Sequence, residues 1–222
     1  MTSPSIGVTV VSGANRNHIL EFVRSLKETA DPRAYTLHVL ATVNEPDQDL
    51  ASDLRARGAE AKINQDSRGF AENHNAAIRS MPGMTYYLIA NDDVVVLRDS
   101  LTHLVSYMEL PSSSRVAAVS PKLLNIDRTL QASTYGFPTT AKEALRLLGI
   151  SSLIPRGPRA RRIFQLFGQG RGKSRFWDHD ETLPVDTMRG AFVLVRADAI
   201  ADIGLMDEVA RVGFEEVEGH KR

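Results

Sequence analysis

The chain has 222 residues, of which 42% are hydrophobic, 24% charged and 6% aromatic, the composition of a globular protein with one sizeable core. Lys plus Arg and Asp plus Glu each total 27. The whole-domain basic excess of a general polyanion binder is therefore missing, and no nucleic acid partner is expected. The absence of cysteine excludes disulfide scaffolds, thiol catalysis, iron–sulfur clusters and the usual structural zinc sites.

The N-terminal stretch has no basic leader, and its apolar run from Ile6 to Val11 is too short for a signal peptide or a membrane span. No later window approaches the roughly 20 apolar residues of a spanning helix. A cytoplasmic protein is expected, with membrane contact at most peripheral.

In chain order, Gly7–Ser12 reads as a buried strand, followed by a helix from Asn15 or Asn17 to about Glu28 with apolar Ile19, Leu20, Phe22, Val23 and Leu26 on one stripe. Tyr35–Val43 is the next strand, Asn44–Asp47 a loop, Asp47–Arg57 helical, and Ala59–Ile63 a short strand. The spacing predicts a helix over about Phe70–Ser80, stopped by Pro82-Gly83, then a strand Thr85–Ala90 ending in Asn91-Asp92-Asp93. An apolar run Val94–Leu97 leads into a helix from Asp99 or Ser100 to Leu110, and Val116–Val119 is another strand. This alternation of strands and helices is the signature of βαβ units, so an α/β fold with a mainly parallel central sheet flanked by helices is expected.

The second half changes character. Between Ala144 and Trp177 there is no acidic residue, but eight Arg and Lys side chains stand among Leu, Ile and Phe. Arg156–Arg175 within it reads either as a basic, apolar contact for an anionic membrane surface or acceptor diphosphate, or as a solvated loop. Strand character returns over Val185–Val195 around Gly190, a helix starts near Ala197, and Gly204–Glu208 forms a turn. Asp178-His-Asp180 reads as an exposed loop, because adjacent residues in an irregular segment seldom converge on one ion. Ser12-Gly13-Ala14-Asn15 lacks the dinucleotide and P-loop spacings.

Ligands of an open α/β sheet bind at the carboxyl ends of its strands, which is where Asp92 and Asp93 stand. Their hard carboxylate oxygens suit Mg²⁺ or Mn²⁺, which could neutralise the phosphates of a nucleotide diphosphate. A polar turn after a strand would also attract such residues.

Four stretches in order resemble the inverting GT-A glycosyltransferases of family 2, particularly the rhamnosyltransferase-like members. They are Asn64–Asn75 (NQDSRGFAENHN), Tyr87–Val96 (YLIANDDVVV), Val185–Arg196 (VDTMRGAFVLVR), and Gly204–Glu208 (GLMDE) followed by Phe214–Glu218 (FEEVE). The resemblance implies a single GT-A domain over 1–222, with a nucleotide-sugar-binding half at 1–120 and an acceptor-binding half at 121–222. It implies that Asp93, with Asp92 and Asn91 beside it, positions the metal and the donor diphosphate, and that Gly69 and Asn75 belong to the donor-binding wall. Glu216, with Glu215 as the neighbouring candidate, stands where the catalytic base is expected. Asp207 and Glu208 fall near the acceptor, and Arg189 and Gly190 where acceptor and donor sugar meet. Arg189 could pair with a phosphate or serve a structural ion pair.

The implied activity is metal-dependent inverting transfer of a sugar, rhamnose on a thymidine diphosphate carrier being one candidate, from a nucleotide diphosphate sugar to a hydroxyl of a glycan or lipid-linked acceptor in cell-surface polysaccharide synthesis. The implied place of work is the inner face of the membrane. The alternative is a non-catalytic glycosyltransferase-like binding subunit, and a third reading is another α/β protein that uses Asp92 and Asp93 otherwise. Where the family carries an Asp after the second strand, this sequence has Val43, with Asn44, Glu45 or Asp47 as substitutes. Relatives also continue past the Glu-Asp segment into helices, so the acceptor half is expected to be short.

Overall fold

A computed structural model describes residues 3–135 and 181–209. They fall into two compact units, one within Met1–Pro121 and Arg189–Arg222 and one within Lys122–Met188.

In the first unit, β1 (Ser5–Val11), α1 (Arg16–Thr29), β2 (Thr36–Val43), α2 (Gln48–Ala56), β3 (Glu60–Ile63), α3 (Phe70–Ser80) and β4 (Tyr86–Asn91) follow one another as βαβ units. After α4 (Ser100–Met108) come the short β5 (Ala118–Val119), then β10 (Phe192–Arg196) and α5 (Ala197–Ile203). The described strands form a six-stranded sheet in the order β3-β2-β1-β4-β10-β5. β1 lies parallel to β2 and β4, and β2 parallel to β3. β10 runs antiparallel to both β4 and β5.

Local chemistry sets these elements. The Asn15 side chain accepts from the Asn17 backbone N–H and caps α1, whose Ile19, Phe22, Val23 and Leu26 are buried at helical spacing. Asp47 caps α2 through the Leu50 N–H at 2.8 Å. The α3 helix stops at Pro82-Gly83, where Gly83 takes φ +78°, a conformation that glycine adopts without steric cost.

The core follows from strand alternation. In β1, Ile6, Val8 and Val10 are wholly buried on one face, while Gly7 and Thr9 point to the other. Thr9 shares a 2.9 Å hydrogen bond with His74 Nδ1, so α3 covers that second face. Gly7 suits the close approach there: a Cβ would lie 3.0 Å from the side chains of both Met84 and Tyr87, which would have to shift. Phe70, Leu205 and Met206 pack against the buried cluster of Leu40, Ala77, Ile78, Met81, Tyr87 and Ile89.

Arg196, at the end of β10, donates to the carbonyls of Met108, Ser113 and Val116, which fixes the end of α4 and the loop behind it. Its guanidinium lies 5.5 Å from the Tyr86 ring centroid. Burial and the hydrogen bond to Glu109 push the Tyr86 hydroxyl up to about 12.

The strand expected over Val185–Val195 is divided. Thr187–Met188 (β9) pairs antiparallel with Thr134–Tyr135 (β8) in the second unit, whereas β10 joins the main sheet. The second unit also contains a hairpin of β6 (Leu123–Leu124) and β7 (Leu130–Gln131), whose turn holds Arg128 at φ +64°. The basic stretch Arg156–Arg175 and Asp178–Asp180 lie outside the described residues. Among the described residues no helix is long and apolar enough to cross a membrane.

Candidate functional site

Register aligns the carboxyl ends of the central strands: Val11 of β1 stands opposite Thr42 of β2 on one side and Asn91 of β4 on the other. Ser12-Gly13, Asn44 and Asp92-Asp93 therefore leave the sheet at one edge. β10 is antiparallel, so its beginning lies at this same edge, where the Asn91 N–H donates to the Ala191 carbonyl at 3.0 Å. Arg189, exposed, and Gly190, buried, immediately precede Ala191.

The two adjacent carboxylates differ. Asp92 Oδ2 accepts the Gly13 backbone N–H at 2.6 Å, tying the β1 loop to the end of β4. A Cβ on Gly13 would lie 3.0 Å from that oxygen, so a larger residue here would press on the Asp92 carboxylate. Burial raises the Asp92 carboxyl above its ordinary value and the Asp93 charge adds to this, while the Gly13 N–H opposes it. Asp93 is exposed.

At the same edge, three asparagines hold the loop before α3. Asn44 Oδ1 accepts from Asn64 Nδ2, Asn73 Nδ2 and the Arg68 N–H, each at 3.0 Å. Asn44 Nδ2 donates to Ser67 Oγ and the Arg68 carbonyl, both at 3.1 Å. Asn64 Nδ2 also donates to Asn73 Oδ1 at 2.7 Å. The loop thus reaches α3 in a fixed path, with Gly69 as N-cap and no side chain capping the first turn. The orphan N–H groups of that turn are the feature of a helix start that attracts anions.

Asn44 was one of three expected substitutes for the family's Asp. Its carboxamide is engaged by the loop on both ends, Asp47 is engaged in capping α2, and Glu45 is exposed. Val43, 1% exposed, belongs to the core. The asparagine cluster is a feature that sequence reasoning missed; the repeated asparagines at 44, 64 and 73 were its only signal.

Asn75, expected on the donor-binding wall, is 0% exposed. It bonds Met206 and Glu208, residues of the turn after α5. Asp207 is half-buried and accepts the Val209 N–H at 2.9 Å. Asn75 and Arg79 lower the Glu208 carboxyl below its ordinary value through hydrogen bonds to its carboxylate. Glu215 and Glu216 lie outside the described residues. Among the described residues no group of three or more His, Asp or Glu converges on a point.

By sequence, no family model and no curated protein matches the chain. Among solved structures it is similar to the mannosyltransferase PcManGT from Pyrobaculum calidifontis in complex with GDP-Man and Mn²⁺, with a TM-score of 0.59 and 16% identity over 98% of this chain and 51% of that one. It is also similar to S. aureus TarS 1–349, with a TM-score of 0.59 and 13% identity over 97% of this chain and 55% of that one. Full TarS gives 0.58 and 13% over 96% and 32%. The chain spans about half the length of the first two. At these identities the likeness establishes the fold, and with the six-stranded, mainly parallel sheet it shows that the chain adopts the GT-A fold.

Proposed function

We propose that the chain is a glycosyltransferase domain that moves a sugar from a nucleotide diphosphate donor to an acceptor hydroxyl with inversion, its donor side being residues 1–120 and its acceptor side 121–222. The observation that carries this reading is the edge where Asp92 and Asp93 end β4 beside Gly13 and the uncapped start of α3. It lies at the carboxyl ends of parallel strands, where α/β folds bind their ligands. A solved likeness with bound GDP-Man and Mn²⁺ supports the same reading.

The residues at this edge fit a hard divalent cation. Mg²⁺ and Mn²⁺ are commonly held by one or two carboxylates plus substrate phosphates rather than by an all-protein cage. Asp93 supplies the open carboxylate, and Asp92, fixed on Gly13, sets where Asp93 begins. A bound cation would supply neutralisation of the charge that develops on the departing diphosphate. The backbone N–H groups of the α3 first turn, following Gly69, add fixed partial positive charge for the donor's oxygens. Asn91 holds the strand end against Ala191 and so keeps Arg189 and Gly190 at the same edge.

In this mechanism Glu216, with Glu215 as the neighbouring candidate, removes the proton of the acceptor hydroxyl as its oxygen attacks the anomeric carbon. The bond to the diphosphate breaks on the opposite side, and the product has inverted configuration. Support for this role is the likeness of Phe214–Glu218 to the family's ending. Arg189, Gly190, Asp207 and Glu208 are assigned to the acceptor and sugar side. Rhamnose on thymidine diphosphate is the donor we favour, with UDP carriers as the other class, and a glycan or lipid-linked acceptor met at the inner membrane face through Arg156–Arg175.

The burial of Val43 and the internal commitment of Asn44 leave the family's Asp after the second strand without a counterpart, which bears on nucleotide choice and affinity; the second reading is a binding subunit that holds nucleotide without turnover. Substitution of the base separates the two. For an active transferase, Glu216→Gln leaves nucleotide affinity unchanged and lowers transfer about 10²- to 10⁴-fold. Normal transfer by Glu216→Gln refutes the base assignment, and wild-type nucleotide binding with no transfer to any acceptor supports the binding subunit.

A further inference from the structure

The α3 helix is the element that touches two parts of the chain to which the proposed mechanism gives different tasks. Its first turn follows the donor-side loop, where the Gly69 carbonyl accepts from the Asn73 backbone N–H and from Asn73 Nδ2. Its middle carries Asn75, which faces a different segment. Asn75 Nδ2 donates to the Met206 carbonyl at 2.8 Å, and Asn75 Oδ1 accepts the Met206 N–H at 3.2 Å. A carboxamide that pairs with both backbone groups of one residue imitates a strand partner, so it specifies the position and orientation of that residue's backbone. The same Nδ2 donates to Glu208 Oε1 at 2.9 Å.

Two further observations strengthen the attachment. Arg79, one turn along α3 from Asn75, reaches the same Glu208 oxygen at 3.0 Å. Leu205 and Met206 pack against the buried cluster that includes Ala77, Ile78 and Met81. Asn75 itself is 0% exposed, so none of its atoms faces solvent where a donor would bind. The next acidic residues along the chain after Glu208 are Glu215 and Glu216.

We propose that Asn75 is a positioning residue, a latch that docks Met206–Glu208 on α3 and so fixes the last described residues before the base assigned to Glu216. One helix then orients the donor-side loop at its start and the acceptor-side segment at its middle, and Asn75 acts through the Met206 backbone without touching substrate. The catalytic part of this inference rests on the transferase reading, through the base assigned to Glu216; the docking part does not.

The test compares the full chain with Asn75→Ala, after a thermal melt confirms that the variant is folded. The readouts are amide hydrogen exchange over 204–209, calorimetric affinity for whichever of UDP, dTDP or GDP the wild type binds with Mn²⁺, and steady-state transfer. We expect faster exchange over 204–209, nucleotide affinity and donor KM within about threefold of wild type, and a kcat lowered by about 10- to 100-fold, the scale of a misplaced catalytic group. Unchanged exchange together with a parallel loss of nucleotide affinity would overturn the latch and return Asn75 to the donor wall. If Asn75→Ala does not fold, Arg79→Ala and Glu208→Gln weaken the exposed end of the same attachment, and unchanged exchange over 204–209 in both overturns it. Exchange decides the docking even if the wild type transfers no sugar, so failure of the latch and failure of the transferase reading give different results.

Discussion

At the scale of single residues, His74 shows how a buried ionisable group ties stability to pH. It is 0% exposed, its Nδ1 is engaged by Thr9, and its Nε2 is the one fully buried side-chain polar atom among the described residues with no partner. Burial pushes its pKa down to about 3. The folded state therefore keeps the imidazole neutral, whereas the unfolded chain takes up a proton below about 6.5. The sign follows: this contribution favours folding less and less as pH falls from 6.5 towards 3, by about 1.4 kcal/mol per pH unit. Urea unfolding at pH 7, 5 and 4 should show that slope, and His74→Leu should flatten it. The variant also leaves the Thr9 hydroxyl unpaired, at about 1–3 kcal/mol, but that loss does not depend on pH. Equal slopes for wild type and variant would contradict the assignment.

The acidic pair gives a second prediction at this scale. Asp92→Asn keeps an oxygen to accept the Gly13 N–H, whereas Asp92→Ala does not. If Asp92 acts mainly by holding the turn, Mn²⁺-dependent nucleotide affinity should survive better in Asp92→Asn than in Asp92→Ala. Titration in which the asparagine variant loses as much affinity as Asp93→Ala would instead make Asp92 a direct ligand.

At the scale of elements, two polar networks hold segments that packing alone leaves free. Asn44 joins the end of β2 to the loop before α3 by five side-chain hydrogen bonds. Removing it takes the acceptor from one Asn64 N–H and from the Arg68 backbone N–H, while Asn73 Nδ2 keeps the Arg68 and Gly69 carbonyls, so Asn44→Ala should lower stability by about 1–3 kcal/mol in urea unfolding. It should also weaken nucleotide binding, because the path of the loop into α3 is no longer set. Arg196 fixes the end of α4 by donating to three backbone carbonyls. A lysine offers no planar fork with which to reach all three, so Arg196→Lys should recover little of the stability that Arg196→Ala loses, about 2–4 kcal/mol. Full recovery by lysine would contradict a role for all three carbonyl contacts.

The helices were legible in the sequence because their signals are local. The α3 bounds expected from the spacing over Phe70–Ser80 and the Pro82-Gly83 stop are the ones observed, and the Asn15 and Asp47 caps lie where the chain enters α1 and α2. The division of Val185–Val195 was not legible. Strand-forming residues stand on both sides of Arg189-Gly190, and only pairing with distant strands assigns Thr187–Met188 to β8 and Phe192–Arg196 to β4. The same holds for the site. Asp92 and Asp93 announce themselves at the end of an apolar strand, but the Gly13 clasp requires the register of β1 against β4, and the Asn75 attachment spans 131 residues to Met206. Neither has a local signature.

At the scale of the whole molecule, the sheet order β3-β2-β1-β4-β10-β5 explains why residues far apart in sequence meet at one edge. Four parallel strands bring Gly13, Asn44, Asn64 and Asp92 to their carboxyl ends, and the reversed β10 delivers Gly190 to the same edge. A reversed strand at this place makes the segments 189–191 and 91–93 neighbours without a further crossover. The GT-A fold is shared by the solved glycosyltransferases to which the chain is similar, while the chemistry rests on the particular residues set on it.

The measurement that reaches the proposed function most directly is calorimetric titration of the wild-type chain and Asp93→Ala with UDP, dTDP and GDP, each with and without Mn²⁺. We expect one nucleotide to bind wild type only with Mn²⁺, and Asp93→Ala to lose that metal-dependent affinity while remaining folded. Binding that ignores both Mn²⁺ and Asp93, or no binding of any of the three, would contradict a metal-assisted nucleotide-sugar site at the end of β4.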